Sequence, residues 1–222
     1  AAARVEAGGS WIRSYGAGLF REIRTAFGVT DEAFLSSLGI RQVLGGLLLG
    51  DARSLAERVS EGRSGSLFYY SHDNRFMAKT VGRDEADALR RMLRAYHAYV
   101  LQHPDTLLMR LLGLYEIGHG GRTYRLVVAA NVFHTRLTIH ERFDLKGSTH
   151  CRTVGPGRRG LPKLVHKDLD FVHMGRQIRA KNPDLGPRLR GQIALDAAFL
   201  ERHGVIDYSL LIGVHHLRPG AA

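Results

Sequence analysis

Two short segments hold charged residues that need a chemical reason for being where they are. They are Phe143-Asp144-Leu145-Lys146-Gly147-Ser148-Thr149 and Ile206-Asp207-Tyr208-Ser209-Leu210-Leu211. Each sets a charge among apolar neighbours, where it costs free energy unless it is paired or used. Lys79 is a third such position. In a strand over Arg75 to Val81, alternate residues share a face, so Lys79 stands beside Met77 and Val81. A glycine-containing turn, residues 62–66, comes just before that strand and its partner. A turn that cradles phosphate, followed by a strand lysine that grips it, is a way of binding nucleotide phosphates. The plainer reading of Lys79 is an edge-strand lysine whose stem lies on apolar surface while its head reaches water.

Other chemistries find less support. Gly62-Arg63-Ser64-Gly65-Ser66 lacks the spacing of a dinucleotide fingerprint, and no Gly-x-x-x-x-Gly-Lys-Ser/Thr is present. The twelve histidines include the sequential pair His215 and His216, but none forms a two-histidine helix motif with a glutamate or cysteine partner. Cys151 is the single cysteine, so the chain has no internal disulfide framework and suits a reducing compartment; a small, partly buried residue is its expected role.

The chain has 222 residues, 44% of them hydrophobic, enough to bury a core in one or two domains. Thirty-two basic against twenty-one acidic residues leave a net charge of +11, which favours polyanionic partners. Aromatics are 8% and no nucleic-acid-binding signature appears, so no nucleic-acid partner is expected and an anionic membrane surface fits the charge instead. The longest apolar run, Val43 to Leu49, is far short of the roughly 20 residues that cross a bilayer. The first residues lack the pattern of a secretory signal.

The elements that must position these residues are legible from periodicity. Leu19, Phe20, Ile23 and Phe27 fall at helical spacing over 17–28, and Thr30 caps a short helix ending at Leu38. Gly45 to Asp51 reads as loop or helix end. Leu67 to Tyr70 and Arg75 to Val81 read as a hairpin, and residues 84–102 as a helix with Leu89, Met92, Leu93, Tyr96 and Val100 on one face. Strands are expected at 111–117 and 123–130 around the turn Gly118 to Gly121, and again at Leu137 to Phe143. A basic, glycine-rich loop covers 155–160, and a helix spans Arg188 to His203 before Gly204. The order predicts an α+β fold with an antiparallel sheet in its first half.

At this level of detail the chain resembles the phosphatidylinositol phosphate kinases. The segments that carry the likeness, besides the two named first, are Arg63 to Tyr70, Arg75 to Thr80, Thr106 to Tyr115, Asn131 to Phe133, Lys167 to Phe171 and Phe199 to Leu211, in that order from about residue 20 to 216. Residues 135–148, together with Ile212 to His216, look most like the plant and green-alga phosphatidylinositol 4-phosphate 5-kinases.

The resemblance implies a two-lobed lipid-kinase fold, with an N-terminal lobe over 1–133 and an incomplete C-terminal lobe over 134–222. It implies ATP and Mg2+ as cofactors, with Ser64, Gly65, Ser66 and Lys79 on the phosphates and Asn131 and Phe133 near the adenine. Asp207 takes the catalytic role of orienting or deprotonating the inositol 5-hydroxyl. Lys146 and Arg152 face the transferred or lipid phosphate; the plainer alternatives are an Asx turn at Asp207 and a solvated loop charge at Arg152. Glu85, early in the helix after Lys79, is the best-placed carboxylate to pair with that lysine. Asp144 braces Lys146, contacts metal or forms a local salt bridge, and Asp168 and Asp170 are structural. No residue of the chain is expected to be the family's metal aspartate, which belongs to a stretch after the last residues here; the sequence therefore reads as the core of a longer kinase. Phosphatidylinositol 4-phosphate, the anionic inner face of the plasma membrane (a cytoplasmic, peripheral location) and a homodimer are the implied partners. The alternative is a catalytically inactive module that binds phosphoinositides or kinases.

Overall fold

A computed structural model describes residues 2–7, 10–38, 59–61, 66–161, 164–179 and 182–217. The expected loop at 45–51 and two residues of the expected phosphate turn, Ser64 and Gly65, lie outside them. The chain divides into two compact units, Ala1–Asn131 and Val132–Ala222.

The first unit is built on a seven-stranded, wholly antiparallel sheet of β1 (Ala2–Ala7), β2 (Ser10–Tyr15), β3 (Val59–Glu61), β4 (Leu67–Tyr70), β5 (Phe76–Thr80), β6 (Leu111–His119) and β7 (Arg122–Ala130). Their order is β1-β2-β6-β7-β5-β4-β3. Three helices accompany it: α1 (Ala17–Ala26), α2 (Asp31–Leu38) and α3 (Arg83–Gln102). Thr30 caps α2 through its hydroxyl, which accepts the Ala33 N–H at 3.1 Å. In α3 the buried residues Met92, Leu93, Tyr96 and Val100 are the apolar stripe that periodicity marks out. The β6–β7 hairpin turns through Gly120 and Gly121, both at positive φ, the backbone that a two-residue hairpin loop demands.

β1 and β2 go beyond the sequence expectation, which began at the first helix. β2 pairs with β6 from Ser10↔His119 to Tyr15↔Leu114. Trp11 lies so close to Gly118 of β6 that a Cβ there would meet its indole at 2.2 Å, so only glycine fits.

Core packing on β5 keeps Lys79 on the face it shares with Met77, as the alternation predicts. Phe76 and Ala78 are buried, and Phe76 meets Phe34 of α2 edge-on with ring centres 5.5 Å apart. Lys79 and Met77 therefore occupy the opposite, half-buried face. Asp73, in the turn before β5, ties that hairpin to α2: it accepts from Ser37 Oγ at 2.5 Å, Ser71 Oγ at 2.6 Å and the Arg75 N–H at 3.1 Å. Burial pushes its carboxyl upward, but these bonds outweigh it and bring its pKa down to about 2.

The second unit holds a three-stranded sheet, β10 (Leu210–Val214), β8 (Glu141–Leu145) and β9 (Val165–His166), with β8 in the middle. β8 runs antiparallel to β10 and parallel to β9. Helices α4 (Asp168–His173) and α5 (Leu185–Arg202) complete it. The strand expected at 137–143 instead starts at Glu141, where pairing with Val214 begins. Leu137 is 57% exposed and precedes any ladder partner, so its apolar character alone does not make a strand. Among the described residues no helix is long and apolar enough to cross a membrane.

Candidate functional site

Within the first unit, the pairing register places Lys79 between Phe68 of β4 and Val127 of β7. Its ammonium donates to Glu85 Oε1 at 2.8 Å. Glu85 sits in the first turn of α3, which starts three residues after β5 ends, so the short connection brings the carboxylate over the strand lysine. Ser66 stands directly before β4, whose first N–H, at Leu67, donates to Thr80 Oγ1 at 2.9 Å. Asn131 follows β7; its backbone N–H donates to the Arg75 carbonyl and its side-chain amide to the Asn74 carbonyl, each at 2.8 Å. Phe133 belongs to the second unit, where the Arg142 guanidinium carbon lies 5.1 Å from its ring centre and Gly213 is packed close to its edge.

Within the second unit, Lys146 and Asp207 form an ion pair. The Lys146 ammonium donates to Asp207 Oδ1 and, at 3.1 Å, to the Asp207 carbonyl. They come together because the strands that carry them are ladder partners: Leu145 ends β8 opposite Leu210, which opens β10. Asp207 has φ +60°, a left-handed conformation rare for a residue with a side chain and enriched at functional sites. Its side chain is 77% exposed, and Ile206 and Tyr208 are 85% and 47% exposed. The expectation of a carboxylate enclosed by apolar neighbours is thus corrected: the apolar residues on either side point to solvent too, and the acid is reachable. The Lys146 hydrogen bond, followed by its charge, holds the Asp207 carboxyl below the usual carboxylate range.

Arg152 is largely buried. Its Nε donates to Asp168 Oδ2 at 2.7 Å, and its Nη2 donates to Asp144 Oδ1 at 2.6 Å and to the Asp144 carbonyl. Burial pulls the guanidinium pKa down, but hydrogen bonds to the two aspartates and their charges raise it above the ordinary value. Asp168 also accepts the backbone N–H groups of Lys146 at 2.9 Å and Gly147 at 2.8 Å. Arg152 and Asp168 therefore brace the segment that carries Lys146, and Asp144 pairs with Arg152. Burial raises the Asp168 carboxyl, yet the Arg152 bond and these N–H groups bring it below the usual range.

Asp170, fully buried, accepts from Thr153 Oγ1 at 2.7 Å, the Val154 N–H at 2.9 Å, Arg159 Nε at 3.0 Å and the Lys167 N–H at 3.1 Å. These bonds overcome burial and bring its pKa down to about 2. The sequence marks Asp168 and Asp170 as a structural block without showing what they hold; the donors they accept from lie up to 22 residues away.

Two further readings change. Cys151 is exposed, not partly buried, with its sulfur 3.5 Å from His150 Nε2. Glu141 has no counterpart in the sequence reading; it accepts from Arg176 through both oxygens and from His216 Nε2 at 2.8 Å. Among the described residues no group of three or more His, Cys, Asp or Glu side chains could hold a metal ion.

Comparison with known proteins gives this geometry a family. Residues 49–222 match the family model described as Phosphatidylinositol-4-phosphate 5-Kinase. A phosphatidylinositol 4-phosphate 5-kinase of Plasmodium falciparum is 34% identical over 92% of the chain and 12% of its own length. Phosphatidylinositol 4-phosphate 5-kinase 9 of Arabidopsis thaliana is 41% identical over 75% of the chain and 20% of its own length. The human phosphatidylinositol 5-phosphate 4-kinase type-2 beta is 32% identical over 89% of the chain and 44% of its own length. The chain thus spans less than half the length of each of these relatives. With a family model covering most of its residues, this chain belongs to the phosphatidylinositol-4-phosphate 5-kinase family.

Proposed function

We propose that this chain is the core of an enzyme that transfers the γ-phosphate of ATP to the 5-hydroxyl of phosphatidylinositol 4-phosphate. The observation that carries this reading is the Lys146–Asp207 pair, an exposed carboxylate in a left-handed turn with an ammonium bonded to it. Asp207 orients the inositol hydroxyl and takes its proton as the oxygen attacks the γ-phosphorus; the bond to the β,γ-bridging oxygen breaks and ADP departs. Lys146 neutralises charge on the transferred phosphoryl group or on the lipid phosphate. Arg152, engaged by Asp144 and Asp168, keeps the Lys146 segment in place.

The first unit supplies the nucleotide side. Lys79, oriented by Glu85, binds the phosphates, with Ser66 beside them just before β4 and Asn131 near the adenine. Mg2+ is held by one or two carboxylates together with substrate phosphates and waters rather than by an all-protein cage. Bound there, the ion would supply charge neutralisation on the nucleotide phosphates.

The net charge of +11 would hold the protein on the anionic inner face of the plasma membrane, each well-placed Lys or Arg adding about 1 kcal/mol. A homodimer formed through the first unit belongs to the same proposal. Because one relative is named a 5-phosphate 4-kinase, the deciding test is positional. The intact protein is given labelled ATP, Mg2+ and vesicles of phosphatidylinositol 4-phosphate or phosphatidylinositol 5-phosphate. Preferred labelling of the 4-phosphate lipid is expected. Preference for the 5-phosphate lipid would overturn the positional assignment, and an inert protein that still binds vesicles would replace the enzyme with a binding module.

A further inference from the structure

The first unit contains a cavity of about 240 Å³ between α3 and strands β2, β6 and β7 that phosphate transfer by Lys79, Lys146 and Asp207 does not employ. Arg13, Arg125 and Glu116 line one side of it, and Arg83, Asp87 and Arg90 of α3 the other. The sheet side is fixed by register. Arg13 pairs with Glu116 and Glu116 with Arg125, so the three side chains form one cross-strand row. The row two residues along each strand is Tyr15, Leu114 and Val127, and Val127 pairs with Lys79. The cavity and Lys79 therefore share a face of the sheet, and α3 contributes to both, through Arg83 and Arg90 here and through Glu85 at Lys79.

The charges in the lining do not balance. Four guanidiniums against two carboxylates leave two positive charges. Glu116 is buried and shared, accepting from Arg13 at 3.2 Å, Arg125 at 3.0 Å and the Tyr15 hydroxyl at 2.9 Å, so it holds two guanidiniums side by side while neutralising the charge of one. Asp87 accepts from Arg90 at 3.0 Å and stands 4.0 Å from Arg83, whose side chain is 81% exposed. Each guanidinium has five N–H donors in a rigid fork, and these ion pairs use only part of them. Converging forks with surplus positive charge in a polar cavity match a doubly charged anion with several acceptor oxygens.

We propose that this cavity binds a phosphate monoester dianion, and that its occupation clamps the start of α3 to the sheet and so steadies the Glu85–Lys79 pair. The second clause rests on the kinase reading; the first stands without it. A free organic phosphate and a phosphorylated lipid headgroup present the same chemistry.

The test uses the intact protein, with a non-hydrolysable ATP analogue and Mg2+ present so that the nucleotide site does not compete. Glycerol 3-phosphate is titrated calorimetrically into the wild type and into the double variant Arg83→Gln/Arg90→Gln, whose side chains line the cavity while staying 81% and 47% exposed and whose melting temperature is checked alongside. Saturable binding is expected, weakened about tenfold or more in the variant, with the monoanionic diester dimethyl phosphate binding less tightly than the monoester. Equal affinity in the two proteins, or no saturable binding in the wild type, overturns the site. Retention on phosphatidylcholine vesicles carrying phosphatidylinositol 4-phosphate separates the sources. A larger effect of the variant there than on glycerol 3-phosphate assigns a lipid headgroup, and the reverse assigns a free phosphate. Lipid phosphorylation is measured separately: if the wild type binds the monoester but transfers no phosphate, the clamp clause falls and the site remains. If it transfers phosphate without binding the monoester, the site falls and the kinase reading remains.

Discussion

Lys146 is the main cause of the lowered Asp207 pKa, with the Arg152 charge adding to it. Because the Lys146 hydrogen bond lowers its pKa, the carboxylate persists to lower pH than an ordinary aspartate would. Lys146→Met removes that bond, so the Asp207 pKa rises. The acidic limb of the pH–rate profile for lipid phosphorylation is expected to move to higher pH, in addition to a fall in rate at the plateau. A profile of unchanged position would mean that Asp207 is not the group titrating. The motif made Asp207 and Lys146 conspicuous in the sequence, since both are charges in apolar company. Their pairing was not legible, because it depends on β8 and β10 lying side by side across more than sixty residues. Nor was the exposure of Asp207: the run Ile206-Asp207-Tyr208 reads as enclosed, but its left-handed φ turns the chain so that all three residues meet solvent. Arg152 read as a free basic position because the two carboxylates that engage it stand 8 and 16 residues away in sequence.

Among the elements, the junction of α4 with the loop from Thr153 to Arg159 hangs on Asp170. Its pKa, about 2 against an ordinary 3.8, means that the folded state favours the ionised carboxylate. That stabilisation is complete above the unfolded value and is lost as pH falls from about 4 to about 2; it amounts to about 2 kcal/mol. Asp170→Asn leaves Arg159 without its charge partner, and a loss of about 2–4 kcal/mol is expected in chemical unfolding at pH 7, shrinking toward pH 2. At the other end of the chain, Gly118→Ala forces the Trp11 indole off β6. A cost of about 1–3 kcal/mol is expected, and since Trp11 is the only tryptophan, its fluorescence should report the displacement directly. The helices were legible because each carries an apolar stripe at helical spacing, and the β4–β5 and β6–β7 hairpins because β-prone apolar runs flank turn residues. β2 was not: all six of its residues are half-buried, with Trp11, Arg13 and Tyr15 on one face and Ile12 and Ser14 on the other, so neither face carries the alternation that marks a strand. β8 was placed four residues early because apolar residues from Leu137 onward precede the partner strand that makes the ladder.

For the whole molecule, composition read the excess of positive charge correctly, while its arrangement into a cavity beside α3 required the sheet order β2-β6-β7. If that charge holds the protein on membranes, retention on anionic vesicles should fall steeply between about 0.05 and 0.5 M salt, as screening shortens from a Debye length of more than 10 Å to a few ångströms. Retention insensitive to salt would point to apolar insertion instead. The central claim is that Asp207 serves phosphate transfer to a lipid. Its most direct test measures labelled phosphate passing from ATP to phosphatidylinositol 4-phosphate vesicles for the intact protein and its Asp207→Asn variant. Robust transfer by the wild type and a loss of at least about 10²-fold in the variant are expected, with the melting temperature unchanged because the side chain is exposed. Transfer by the variant at the wild-type rate would contradict the claim.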